Sequence, residues 1–132
     1  MNTLNGKISA IEVNGSLTSV AVKVNEIILK SIVIETPETV SYLKKGHDLK
    51  VLFKETEVII GTGDTSNVSL QNKIPGSVIS IEKGTLVSKI TIESPVGNIT
   101  AVISTSAVES LNLRKTQRVT AMIKTNEILL SE

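Results

Sequence analysis

The sequence predicts an all-β protein with two copies of one small five-stranded unit, each carrying one short helix. Of the 132 residues, 46 are Ile, Val or Thr, and β-branched side chains favour the pleated surface of a strand. Apolar and polar residues alternate with a period of two in segments such as Lys7–Ile11 and Lys89–Glu93, which is typical of strands with one buried face. The third observation is an internal repeat.

The repeat appears when the sequence is aligned with itself at an offset of 70 residues. The identical pairs are Asn2/Asn72, Gly6/Gly76, Ile11/Ile81, Glu12/Glu82, Leu43/Leu113, Lys45/Lys115, Lys54/Lys124 and Glu57/Glu127. The apolar pattern also stays in phase, as in Ile8/Val78 and Phe53/Ile123. We therefore expect a first domain over residues 1–62, a linker over 63–68 rich in small polar residues, and a second domain over 69–132.

The elements follow most clearly in the second copy. Its alternation predicts five strands, near Ser77–Glu82, Leu86–Glu93, Asn98–Ser104, Arg118–Lys124 and Glu127–Leu130. Between the third and fourth strands, Ser106 and Glu109 have the spacing of a capping box, and Val108, Leu111 and Leu113 fit one side of a short helix. In the first copy Thr36 can cap a matching helix, with Pro37 at its first position.

The element order β-β-β-α-β-β is that of an OB-type barrel, so tandem OB-like five-stranded barrels are predicted. A domain of roughly 60 residues buries only about 60% of its unfolded surface and is marginal alone. Packing between copies, or between chains, is therefore expected.

Few side chains suit catalysis or cation binding. The chain has no cysteine and one histidine, His47, in the polar turn Lys44–Asp48. A thiolate or histidine metal site and a nucleophilic triad are therefore not expected. The acidic residues are scattered, without a carboxylate pair. We expect a protein that is not an enzyme.

The apolar runs of this sequence are short. No apolar run approaches the roughly 20 residues of a membrane-spanning helix, and residues 1–6 lack a signal-peptide pattern. We therefore expect a cytoplasmic protein without membrane partners.

The net charge is +1 and the only aromatic residues are Tyr42 and Phe53, of which Phe53 is predicted to be core. Single-strand binders need basic grooves and aromatic platforms, so an OB-type nucleic-acid binder is the less favoured interpretation.

Neutral hydrogen-bond donors are abundant, with 15 Ser and 14 Thr. Hydroxyls and the free N–H groups at a helix start suit a small, fully ionised oxyanion. On these residues alone, solvent-facing positions on the outer faces of strands are the favoured explanation for the hydroxyls.

The segment Ser69–Gly84 resembles the opening of the molybdate-binding Mop (TOBE-type) domain of the molbindins, in which a Ser-Ala-Arg-Asn motif precedes a spacer, a glycine, a strand and a glycine turn. Thr100–Ser104, Val108–Leu113 and Val119–Lys124 then resemble the family's strand, helix and Ile-Lys strand. The resemblance implies molybdate or tungstate as the ligand, with no organic cofactor and no protein-ligated cation. It also implies storage or buffering of the oxyanion by a homo-oligomer, with a trimer favoured over a dimer.

The resemblance implies an oxyanion site at interfaces between domains and subunits. Carried over to this sequence, the binding residues are Ser69, Gln71, Asn72, Ser104, Ser106, Lys124 and Lys54. Gln71 replaces the family's arginine. Ala107 replaces a helix-start hydroxyl, for which the neighbouring Thr105 and Ser106 are the candidate substitutes. The first copy is more degenerate, because Ile34 and Pro37 occupy its hydroxyl positions. A ligand-free structural or regulatory accessory domain is therefore the alternative function.

Overall fold

Ten strands form two five-stranded antiparallel sheets in the computed structural model, which describes residues 1–132. Their inward residues are the apolar members of the alternating pattern, so local sequence determines which face of each strand is buried. The strands are β1 Asn2–Asn14, β2 Leu17–Val24, β3 Ile27–Val33, β4 Asp48–Phe53, β5 Ile59–Gly61, β6 Asn72–Lys83, β7 Val87–Ser94, β8 Gly97–Ser104, β9 Arg118–Ile123 and β10 Leu129–Ser131. The helix α1 spans Thr105–Ser110, and 3₁₀ turns span Glu55–Glu57 and Thr125–Glu127.

The two sheets exchange their last strands. The first sheet has the order β10-β4-β1-β2-β3 and the second has the order β5-β9-β6-β7-β8. Ile60 of the first copy pairs with Ala121, and Leu130 of the second copy pairs with Val51. Each sheet therefore contains four strands of one sequence copy and the fifth strand of the other. The exchange occurs because each 3₁₀ turn lies against the third strand of the other copy, so the strand that follows the turn joins the other sheet.

The long strands β1 and β6 each serve two neighbours. Residues Asn72–Ser77 of β6 pair with β9, and Ser77–Lys83 pair with β7, with a register shift between Val78 and Ser80. Just before the pairing with β7 begins, a Cβ atom on Gly76 would lie 2.5 Å from the backbone oxygen of Glu93. Glycine is therefore required where the strand crosses from one neighbour to the other.

A single hydrophobic core extends through both copies. Phe53, predicted to be core, is fully buried, as are Ile74, Ile90 and Ile123. Because the core is continuous, the two small barrels support each other instead of folding around separate centres. The fold class predicted from the sequence, an all-β pair of OB-like barrels, is confirmed.

The helices differ from the expectation of one per copy. The second copy contains α1, which is capped by Ser104 and not by Ser106, because β8 keeps extended backbone angles up to Ser104. The first copy has only turns at this place. There the Thr39 hydroxyl accepts a hydrogen bond from the Thr36 N–H and donates one to the Thr36 carbonyl. Such side-chain hydrogen bonds compete with continued helix formation. Tyr42 lies in these turns, half-buried against the core.

No helix in the structure has both the length and the apolar character needed to cross a bilayer.

Candidate functional site

The predicted site residues fall into two groups, of which the first lies where β6 begins and β9 ends. Asn72 pairs with Ile123 in the ladder, so Gln71 and Lys124 occupy the next position along the same two strands. Ser69 precedes them in a bend, and the side chains of Ser69, Gln71 and Lys124 are exposed. This group therefore offers a hydroxyl, an amide and an ammonium at one end of the second sheet.

Asn72 belongs to the first group by sequence but is used mainly inside the protein. Its side chain is buried, accepts a hydrogen bond from the Lys30 N–H at 2.7 Å and donates one to the Lys30 carbonyl at 2.8 Å. Asn2 bonds Thr100 of the second copy in the same way, at 2.8 Å for both contacts. The second N–H of the Asn72 amide forms no hydrogen bond within the chain.

The second group, Ser104 and Ser106, lies at the opposite end of the β6–β7–β8 ladder. Ser104 pairs with Val87, which follows the last residues of β6. The Ser104 hydroxyl accepts a hydrogen bond from the Ala107 N–H at 3.1 Å and lies 3.4 Å from the Ser106 hydroxyl. Both serines are exposed, so their remaining hydrogen-bonding capacity faces outward.

Lys54 and Lys124 each precede a 3₁₀ turn that packs on the other copy. The turn after Lys54 contacts β8, the strand that ends at Ser104, whereas the turn after Lys124 contacts β3. Lys54 also lines a cleft of about 140 Å³ with Glu57, Asn126, Glu127 and Leu129. Two carboxylates against one ammonium make this cleft unsuitable for a dianion.

The equivalent surface of the first copy is less polar, although Thr36 keeps a hydroxyl at the position of Ser106. Ile34 stands at the position of Ser104 and is 82% exposed, and Pro37 stands at that of Ala107. No helix follows Ile34. The hydroxyl pair therefore has no counterpart in the first copy.

No hydrogen bond or ion pair in the structure joins the two groups of predicted residues to each other. A small oxyanion must be surrounded by converging donors to exchange its hydration shell for protein contacts. Within one chain these donors lie on separate surfaces. Leu86, 80% exposed, and Val87, 59% exposed, are apolar side chains that adjoin the serine group.

Near the serine group, Ser88 was not predicted from the sequence, and Thr105 was predicted only as a substitute for the hydroxyl missing at Ala107. The buried hydroxyls of Ser88 and Thr105 lie 2.8 Å apart beneath Ser104 and Ser106. The available signal was Ser88 itself, a polar residue at an inward position of a strand that continues with Ile90 and Ile92.

The linker ahead of Ser69 contains a local anionic turn. The Asp64 carboxylate accepts a hydrogen bond from the Ser66 N–H at 2.9 Å. Hydrogen bonds from Ser66 hold the pKa of Asp64 below its usual value. Asp64 is therefore charged at neutral pH and supplies no donor to an oxyanion.

Comparisons with known proteins fit this architecture. The TOBE domain model matches residues 69–130. The chain is 31% identical over 65 residues to molybdenum-pterin-binding protein 1 of Clostridium pasteurianum, covering 48% of this chain and 96% of that protein. It is 29% identical over the same length to molybdenum-pterin-binding protein 2 of that organism, with the same coverage.

Among solved structures, the chain is similar to the cytoplasmic molybdate-binding protein ModG with molybdate bound, with a TM-score of 0.91 and 24% identity. The match covers 98% of this chain and 94% of ModG. The likeness therefore extends to the tandem arrangement of both barrels.

Proposed function

Because the chain belongs to the TOBE-domain family that includes the clostridial molybdenum-pterin-binding proteins, we propose that it reversibly binds molybdate or tungstate without covalent change. One observation carries the proposal. The family match falls on the copy that keeps exposed polar groups at Ser104, Ser106 and Lys124. The first copy, in contrast, has Ile34 at the position of Ser104 and keeps only one hydroxyl of the group, Thr36 at the position of Ser106.

The binding site forms between chains of a homo-oligomer, with a trimer favoured. One element supplies Ser69, Gln71 and Asn72, and another supplies Ser104 and Ser106. Lys124 is the candidate cation of the first group, and Lys54 contributes only where its ammonium reaches across an interface, away from the two carboxylates of its own cleft. The separation of these groups within one chain supports a shared site. Because such a site exists only in the assembled protein, ligand binding stabilises the assembly by mass action.

The chemistry is that of hydrogen-bond donors around a dianion. Charge-assisted hydrogen bonds contribute about 1.5–3 kcal/mol each, so one lysine and several hydroxyls suffice for specific capture. Gln71 provides a neutral amide in place of the family's bidentate arginine. We therefore expect weaker binding at this chain's site than at one that keeps the arginine. The size of the cavity would discriminate against the smaller sulfate.

The biological role that fits this chemistry is cytoplasmic storage or buffering of the oxyanion. Capture without covalent change leaves the oxyanion available for release when its free concentration falls. No step of this role requires a catalytic group.

Calorimetry with molybdate, tungstate and sulfate tests the proposal, together with light scattering for the oligomer. We expect heat with molybdate or tungstate and little with sulfate. Lys124→Ala should weaken binding by about tenfold or more, since it removes a charge-assisted contact, and should leave the oligomer intact. Lys115→Ala, an exposed lysine on a turn, is the matched control and should bind normally. Absence of heat and of any thermal shift at millimolar molybdate would overturn the proposal.

The second candidate is an accessory domain that has kept the fold and lost the ligand. Gln71 in place of arginine, together with the exposed Ile34, favours it. Under this alternative molybdate never shifts the melting temperature, and Lys124→Ala changes assembly at most. A nucleic-acid binder would instead give a salt-dependent gel shift with single strands.

A further inference from the structure

The buried hydroxyls of Ser88 and Thr105 form a short hydrogen-bonded chain beneath the exposed serines. Thr105 donates its hydroxyl proton to the Gly84 carbonyl at 2.9 Å. Because a hydroxyl has one proton, the 2.8 Å contact between Ser88 and Thr105 must then be donated by Ser88. Both residues are buried, so these bonds are shielded from competing water.

These hydrogen bonds fix the start of α1 to the turn between β6 and β7. The Thr105 N–H donates to the Leu86 carbonyl at 2.9 Å, alongside the hydroxyl bond to Gly84. Thr105 lies between Ser104 and Ser106 in sequence, so two bonds to one turn restrict where both exposed hydroxyls point. Gly84 is itself constrained, because a Cβ there would lie 2.4 Å from the Val87 carbonyl oxygen.

The first copy does not contain this arrangement. Thr18, the counterpart of Ser88, donates its hydroxyl to the backbone carbonyl of Glu35, the counterpart of Thr105. Glu35 has no hydroxyl that could accept from Thr18 and donate to the preceding turn, as Thr105 does in the second copy. The residue before it is Ile34, which has no hydroxyl either. The complete hydroxyl chain therefore occurs only in the copy that has exposed serines to orient.

We propose that Thr105 and Ser88 are positioning residues for oxyanion binding, which hold Ser104 and Ser106 in the geometry that the ligand requires. This inference rests on the proposed function. Thr105 does not touch the ligand, since its hydroxyl is buried and its one proton is already donated to the Gly84 carbonyl. Its contribution is preorganisation, because donors that are already oriented lose less entropy on binding.

The test compares Thr105→Val with Thr18→Val, since both remove a buried threonine hydroxyl from equivalent regions. Melting temperature and molybdate affinity are measured for each variant. Both should melt at lower temperature. Only Thr105→Val should also weaken molybdate binding, by about tenfold, which corresponds to about 1.4 kcal/mol. Thr105→Ser, which keeps the hydroxyl, should restore affinity to within about threefold of the unsubstituted chain.

Ser88→Ala provides a second variant if Thr105→Val does not fold, because it leaves the Thr105–Gly84 bond intact. It should weaken molybdate binding measurably with a small change in melting temperature. Equal affinity in Thr105→Val, Thr18→Val and the unsubstituted chain, or in Ser88→Ala when only that variant folds, would overturn the positioning role. Lack of binding by the unsubstituted chain would instead overturn the proposed function, and with it this inference.

Discussion

Asn2 and Asn72 contribute to stability because each satisfies two backbone groups on the opposite copy. The Asn72 carboxamide bonds both the N–H and the carbonyl of Lys30. A buried polar group left without a partner costs about 1–3 kcal/mol. Each asparagine therefore links the start of its long strand to the third strand of the other copy.

We predict that Asn72→Ala destabilises the protein by about 2–3 kcal/mol, because two backbone groups of Lys30 lose their partner. Urea denaturation followed by circular dichroism measures this change. Asn98→Ala is the control, since Asn98 is exposed on β8, and its effect should stay within about 0.5 kcal/mol. Equal stability of the two variants would show that water replaces the Asn72 bonds without loss.

Sequence alone predicts residues whose role depends on near neighbours. Phe53 was identified as core because it alternates with Leu49 and Val51, and the structure confirms it. The partner of Asn72 could not be predicted, because Lys30 lies 42 residues away in the other copy. The binding role of Ser69, Gln71, Ser104 and Lys124 stays a prediction, since it depends on contacts between chains.

Strand β6 pairs with two neighbouring strands along different parts of its length. Its first half pairs with β9 and its second with β7, and the backbone of β7 approaches closely at the crossing. Gly76 lies at that point, where any side chain would meet backbone atoms that cannot rotate away. The equality of Gly6 and Gly76 in the repeat thus has a steric cause.

Gly76→Ala is expected to destabilise the protein by about 2–3 kcal/mol, as for other overpacked sites. Gly15→Asn is the control, because Gly15 has φ +63 with open space around it and asparagine tolerates this conformation. Its effect should be within about 0.5 kcal/mol. The measurement is again urea denaturation, and a Gly76→Ala variant as stable as the unsubstituted chain would contradict the close approach.

Strands were predictable as elements because alternation is a local property. The predicted helix of the first copy was wrong, since Thr39 forms local bonds that the capping pattern of Thr36 and Pro37 does not reveal. The exchange of β5 and β10 was also not predictable. Both strands carry the same pattern in the repeat, so either pairing satisfies it, and the choice depends on the path of the 3₁₀ turns.

At the scale of the whole molecule, an approximately symmetric fold carries an asymmetric surface. The two copies are equivalent in strand exchange, in their interdomain asparagines and in their contribution to the shared core. Ser104 and Ile34 differ in polarity at equivalent surface positions. The two copies therefore share their structural contacts and differ at the surface where the candidate hydroxyl of Ser104 lies.

Because each sheet contains a strand of the other copy, we predict that the protein unfolds in a single cooperative transition. Small domains with one core usually unfold in this way. Tyr42, the only tyrosine in a chain without tryptophan, reports on the first copy through its fluorescence, and far-UV circular dichroism reports on both copies. The two signals should change at the same urea concentration when the protein concentration is held fixed. Gly76→Ala, a substitution in the second copy, should shift the Tyr42 transition as far as the circular dichroism transition. A tyrosine transition that stays in place in this variant would mean that the first copy remains folded after the second has unfolded, and that the exchanged strands do not couple them.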